Sequence, residues 1–284
     1  MAFCGKRSAD PFAPPIRLAL EFLTELFTSG IGYSAINTAR SALSCVACTP
    51  MGKPIGQHPM VVRLLKGVFQ ERPALPRNLV TWDPSVVLDY LKTMDEAKDL
   101  PLKDLSLKLV TLIALTTGQR AQTIHMLNLT NRRIVNDTHY FSIGQKLKQT
   151  RPGSHLPEVK LIPYAKNVKL CVVTHLQVYE SKTKNLRGGE TGLLVSYMRP
   201  HKRIAKDTVS RWIKTMLTRA GINMKIFTPH STRAAAASKA KRCAVPISTI
   251  LKTAGWSRSC TFARFYDKPV DETNQFAASI LENS

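Results

Sequence analysis

A histidine and an arginine three residues apart lie in the segment Thr228-Pro229-His230-Ser231-Thr232-Arg233, and a run of alanines, Ala234 to Ala237, follows it. Thr228 suits a helix N-cap, Pro229 the first helical position, and the alanines a continuing helix. In that register His230 and Arg233 share one face of the first turn. Unpaired backbone N–H groups also point outward there and attract anions. A cation, a titratable ring and backbone donors would then converge into a phosphate cradle. A second arginine follows the apolar run that ends Leu115-Thr116-Thr117-Gly118-Gln119-Arg120. Gly118 can end that helix and turn the chain sharply. Arg120 then opens a helix with Ile124, Leu127 and Leu129 as its apolar side. The guanidinium forks of Arg120 and Arg233 could clamp the non-bridging oxygens of one phosphate.

Two aromatic positions complete the set. Ala254-Gly255-Trp256 follows a short helix, so Trp256 can bury its ring and aim its one N–H donor at an acceptor. In Thr261-Phe262-Ala263-Arg264-Phe265-Tyr266 the first and last rings are four apart and share a helix face. Read alone, Tyr266 is a packed structural tyrosine, Trp256 a core residue and each arginine a solvated cation. Read together, they surround a phenol nucleophile. A free phenol titrates near ~10, so it needs cations and a base beside it to lose its proton.

The elements that must hold these residues can be read from hydrophobic periodicity. Residues 16–48 read as two helices broken at Gly30 and Gly32, and Pro59 to Phe69 as a third. Arg72-Pro73-Ala74-Leu75-Pro76-Arg77 resists helix and central strand alike and reads as a linker. Thr81-Trp82-Asp83-Pro84 starts the next domain, with Asp83 capping a helix and Pro84 at its first position. Helices are expected near 84–93 and 102–117, strands at 139–143 and 159–162, and helices again near 170–184, 207–220, 229–243, 247–253 and 259–267. Between the strands lies a basic loop, Lys146 to Gly153, with a Pro-Gly turn signal. The pattern is mainly α with a small antiparallel β-sheet, an α+β fold, without internal repeats.

Charge points to the partner. The 284 residues hold 41 Lys and Arg against 19 Asp and Glu, for a net +22. From Phe141 to Lys268 the balance is 25 against 5, whereas the first 140 residues have 16 against 11. A polyanion surface is therefore expected on the C-terminal half, with nucleic acid ahead of an anionic membrane. No stretch approaches the ~20 apolar residues of a membrane span, and the first residues lack the apolar core of a secretory signal. The six cysteines are scattered and read as reduced thiols. Cys45 and Cys48 have CxxC spacing without a second pair nearby, and read as packing residues on a helix rather than metal ligands.

These segments, in this order, resemble the catalytic domain of the tyrosine recombinases, the lambda-integrase-like DNA breaking-rejoining enzymes. The likeness spans roughly residues 83–270. The family pattern is an Arg after a Thr-Gly turn, a Lys on a β-hairpin, His-x-x-Arg, a Gly followed by His or Trp, and then a Tyr. It falls here on Arg120, Lys148, His230 with Arg233, Trp256 and Tyr266. The wording TTGQRAQTI, HSTRAAAAS and AGWSRSCTFARFY is most similar to the DIRS-type and Crypton-type recombinases of eukaryotic mobile elements. The resemblance implies a partial helical core-binding domain over residues 1–76 and a catalytic domain over 83–284. It implies nucleophilic attack by Tyr266, a 3′-phosphotyrosyl link, a general-acid Lys148, double-stranded DNA as partner, a homotetramer on synapsed DNA, and work in the nucleus, with no metal or other cofactor. Lys146 remains an alternative to Lys148. Lys146, Arg151, Lys202, Arg203, Arg211, Lys239 and Arg258 are the cations expected against DNA. Many family members carry an acidic residue three after the first Arg, where this chain has Thr123. A type IB topoisomerase shares this set of side chains, and a truncated or domesticated copy would bind DNA without exchanging strands.

Overall fold

Apolar residues at helical spacing near the N-terminus do form helices in the computed structural model. It describes residues 2–49, 52–73, 79–145, 158–256 and 259–270. The chain divides into two compact units, residues 1–77 and 78–284. In the first, a short α1 (Ala2–Gly5) precedes α2 (Ile16–Thr28), α3 (Tyr33–Val46) and α4 (Pro59–Glu71). Leu23, Ile36, Val61, Leu65 and Val68 form their shared core. Past α4, Arg72 lies over the Phe27 ring and donates to the Phe27 and Ile31 carbonyls, closing the bundle. The expectation that Cys45 and Cys48 pack on a helix is corrected. α3 ends at Val46, so the pair straddles a helix end, and both thiols are exposed.

The second unit begins with α5 (Pro84–Thr93), where Asp83 accepts from the Ser85 N–H and Pro84 takes the first turn. Next comes α6 (Leu102–Thr117), buried on every side from Leu105 to Ala114 and therefore the central helix. Gly118 ends it in the left-handed region at φ 59°, where only glycine turns without strain. A short α7 (Ala121–His125) follows. Then β1 (Arg132–Val135), β2 (Thr138–Phe141) and β3 (Val159–Leu161) make an antiparallel sheet in that order. Tyr140 pairs with Arg133 on one side and Lys160 on the other. His139, Phe141, Val159 and Leu161 turn inward to the core. The chain ends with α8 (Val172–Thr183), α9 (Lys206–Arg219), α10 (Ser231–Arg242), α11 (Ile247–Ala254) and α12 (Ser259–Phe265). α8, α9 and β3 pack on α6.

The fold is thus mainly α with one small antiparallel sheet. Periodicity missed β1. Its turn, Asn136-Asp137, has positive φ at both residues, which is the two-residue hairpin geometry that favours Asn and Asp. The basic loop from Lys146 and the final segment from 271 lie outside the described residues, as do residues 74–77 of the expected linker. Among the described residues no helix is long and apolar enough to cross a membrane.

Lys108 and His175 are among the ionisable groups buried in this core. Lys108 on α6 is fully buried, with Nζ 3.4 Å from the Asp95 carbonyl oxygen. Burial, aided by the positive charge of Lys169, lowers its pKa from 10.5 to about 8. His175 on α8 is fully buried too, with Nδ1 2.8 Å from the Cys171 carbonyl oxygen. Burial lowers its pKa from 6.5 to about 4. In both cases the unfolded chain holds a proton that the folded chain refuses. Stability should therefore fall as pH drops from 6.5 toward 4, by up to about 3 kcal/mol from His175. It should rise as pH climbs from 8 toward 10.5 through Lys108. Urea midpoints across pH test both signs. Lys108→Met should add about 1–3 kcal/mol at neutral pH and abolish the alkaline rise.

Candidate active site

The site is assembled from the ends of helices. Arg120 is the N-cap residue of α7, two residues beyond the glycine that ends α6. His230 is the N-cap residue of α10, and Arg233 sits in that helix's first turn. Gly255 ends α11 in the left-handed region at φ 70° and delivers Trp256. Tyr266 follows α12 directly, with its N–H still donating to the Phe262 carbonyl. Phe262 is buried, as its spacing from Tyr266 suggested.

Arg233 is only 2% exposed. Its Nη1 donates to the Gly118 carbonyl and its Nη2 to the Ala254 carbonyl, each at 2.6 Å. The guanidinium carbon lies 4.1 Å from the centroid of the Trp256 ring and 5.4 Å from that of Tyr266. Burial, with repulsion from Arg120, pulls the Arg233 pKa well below its ordinary value, and contact with the Tyr266 phenol offsets part of this. A guanidinium nevertheless stays charged at neutral pH. The Trp256 and Tyr266 rings are 4.4 Å apart, and His230 Nε2 lies 3.3 Å from the Tyr266 hydroxyl. A cavity of about 60 Å³ is lined by Gln119, Arg120, Ser210, His230, Thr232 and Arg233, among others.

Five of the six expected side chains therefore come together: Arg120, His230, Arg233, Trp256 and Tyr266. Lys148 and its alternative Lys146 lie outside the described residues, as do Arg151 and Arg258. Lys202 and Arg211 are exposed. Arg203 is half-buried and donates to the His125 carbonyl, and Lys239 binds Asp83 and Ser85. Both of these cations already have partners inside the protein.

The expected anion cradle at the start of α10 is corrected. Thr228 is not the N-cap, because a tight turn through Pro229 and His230 precedes the helix. The N–H groups of Ser231, Thr232 and Arg233 bond to the carbonyls of Thr228, Pro229 and His230. Those backbone donors are already taken, so an anion here would be held by side chains.

Other contributors were not visible in sequence. Gln119 Nε2 donates to the Thr253 carbonyl at 2.7 Å, tying the Arg120 turn to α11, while its Oε1 is buried with no hydrogen-bond partner among the described residues. Trp82 Nε1 donates to Ser231 Oγ at 2.8 Å, fixing the start of α10 against the entry to α5. The only sequence signal for Gln119 was its place beside Arg120. Trp82 stands out in the sequence only as part of a helix start.

The geometry suits a tetrahedral oxyanion met from one side by a phenol and from others by two guanidinium groups. Arg233→Lys keeps the charge but cannot span both carbonyls. It should destabilise the protein by about 2–4 kcal/mol, read as a lower urea midpoint with unchanged slope.

Comparison with known proteins agrees with this site. The model of the phage integrase family matches residues 85–272. No curated protein sequence matches the chain. The fold is similar to that of the XerH site-specific recombinase in its post-cleavage complex with palindromic difH substrate. The TM-score is 0.59 at 15% identity, over 94% of this chain and 70% of the other. It is also similar to the Tn1549 transposon integrase in complex with circular intermediate DNA, with TM-score 0.58, 13% identity and coverage of 98% and 87%. A lambda integrase dimer bound to a COC′ core site gives TM-score 0.51, 14% identity and coverage of 92% and 81%. These likenesses concern the fold, while the family match covers the segment that carries all the site residues. The chain belongs to the phage integrase family and is a tyrosine recombinase, an enzyme of site-specific DNA recombination.

Proposed function

We propose that this recombinase is the integrase of a mobile element, cutting and rejoining double-stranded DNA through a 3′-phosphotyrosyl intermediate on Tyr266. The observation that carries this reading is the approach of the Tyr266 hydroxyl to His230 Nε2, 3.3 Å, beside the guanidinium of Arg233. The phenol oxygen attacks the scissile phosphorus, and the bond from phosphorus to the 5′-oxygen breaks. His230 accepts the phenol proton as the new bond forms. Arg120 and Arg233 neutralise charge growing on the non-bridging oxygens, the term that usually dominates such catalysis. Trp256 backs the Arg233 guanidinium with its ring. Lys148, or Lys146 beside it, protonates the departing 5′-oxygen as general acid. The phosphotyrosyl bond stores the energy of the broken diester, so a second 5′-hydroxyl can reverse the step without ATP or a metal.

The mobile-element assignment rests on the wording of the three motif segments and their likeness to the DIRS-type and Crypton-type enzymes of eukaryotes, which also makes the nucleus the compartment. The helical unit over 1–77 serves as a partial core-binding domain, and four copies act on two synapsed duplexes. The net charge of +22 supplies the general attraction to DNA.

Incubation with a nicked suicide duplex tests the reaction. Wild type should form a covalent adduct that survives denaturation. Tyr266→Phe should bind DNA with near-normal affinity and form none. An adduct with the Phe variant excludes Tyr266 as nucleophile, whereas plasmid relaxation without recombination would make the protein a topoisomerase. Exposed Lys202 and Arg211 should contribute to binding alone. Replacing either by Ala should lower the slope of log affinity against log salt by about 1.

A further inference from the structure

The nucleophile is held from behind by a residue outside the site. Tyr266 and Asp267 both donate their N–H groups to the Phe262 carbonyl, which closes the last turn after α12. The Tyr266 carbonyl is thereby left at a helix end, and such carbonyls need a partner. Ser238 supplies it. Its hydroxyl donates to the Tyr266 carbonyl at 2.7 Å and accepts the Lys268 N–H at 3.1 Å, bracketing the residue between. Ser238 is 2% exposed, so water cannot stand in for it readily. The next links are Lys241 with Asp267, and the Thr81 N–H with the Pro269 carbonyl at 2.7 Å. Ser238 lies on α10, the helix that also carries His230 and Arg233.

We propose that Ser238 is a positioning residue for the nucleophile: it sets the backbone of Tyr266 so that the phenol lies in reach of His230 and of a phosphate held by the arginines. This rests on the reading of Tyr266 as the attacking group. Ser238 touches no substrate. It acts by fixing a backbone whose side chain must stand in line with the breaking bond.

The test is single-turnover capture on a nicked duplex by Ser238→Ala and by Ser238→Cys, which keeps the size but bonds weakly. The amplitude of the burst reports the folded, competent fraction, and the rate constant reports the geometry within it. Both variants should bind DNA as wild type does. The Ala rate constant should fall about 10- to 100-fold, with Cys between Ala and wild type. The same fall should persist on a duplex whose scissile bond has a 5′-thiol leaving group, because leaving-group protonation is not what was lost. A reduced amplitude at an unchanged rate would mean that Ser238 only supports folding. An unchanged rate, or a defect repaired by the thiol, would also overturn the proposal. Peptide mapping of the wild-type adduct separates the two layers. An adduct elsewhere than Tyr266 removes the nucleophile assignment itself, whereas an adduct on Tyr266 with full-speed Ser238→Ala removes only the positioning role.

Discussion

Arg233 joins three helices with one planar group. A helix C-terminus leaves carbonyl oxygens unpaired and gathers negative potential. α6 and α11 both end this way, each at a left-handed glycine, and their ends meet. Arg233 stands between them and donates to Gly118 on one side and Ala254 on the other. Burying a lone guanidinium in an apolar core would be prohibitive. Placed between two negative helix poles and against the Trp256 ring, it becomes the fastening of the site. Trp256, Arg120 and Tyr266 all take their places relative to that fastening.

The two Nη groups of Arg233 have backbone partners, while its Nε is buried with no hydrogen-bond partner among the described residues. Arg120 repels Arg233 strongly enough to lower its pKa further than burial alone. Two like charges around one small cavity repel each other, and an anion placed between them would offset that repulsion. On the proposed mechanism, two guanidinium groups so placed would stabilise the charge that grows on the phosphate more than they stabilise the ground state, which is the differential stabilisation that catalysis requires. The excess of cations elsewhere on the chain brings DNA to the surface without specifying where the chemistry occurs.

Much of this was legible in sequence, for reasons that differ by element. The helices expected near 84–93 and 102–117 are found at Pro84–Thr93 and Leu102–Thr117 because Asp83-Pro84 and Gly118 mark helix ends by local chemistry. Gly255 did the same for Trp256. β1 was missed because an edge strand exposed along most of its length shows little alternation, and its Asn-Asp turn is a weaker mark than Asn-Gly. The start of α10 was misjudged because Pro229 fits a first helical position and a preceding tight turn equally well. Ser238 and Gln119 were invisible for a deeper reason. Their partners, Tyr266 and Thr253, are 28 and 134 residues away, and no local pattern encodes such a pairing.

The placement of His230, Arg233 and Ser238 on one helix has a mechanical consequence. At 1.5 Å per residue, the span from His230 to Ser238 is roughly 12 Å along a single rigid axis. The proposed proton acceptor, the proposed phosphate ligand and the proposed anchor behind the nucleophile therefore keep their spacing unless α10 itself unfolds. Trp256 and the Gly118 turn that leads to Arg120 come from separate elements but are tied to that helix through Arg233. Lys146 and Lys148 belong instead to the connection between β2 and β3, away from α10 in the chain. The groups proposed to stabilise the phosphate and aim the phenol are thus linked through α10 and Arg233, whereas the proposed leaving-group acid belongs to another element. On that proposal, nucleophilic attack and leaving-group protonation should be separable by substitution, the first through variants on α10 and the second through variants of Lys146 and Lys148.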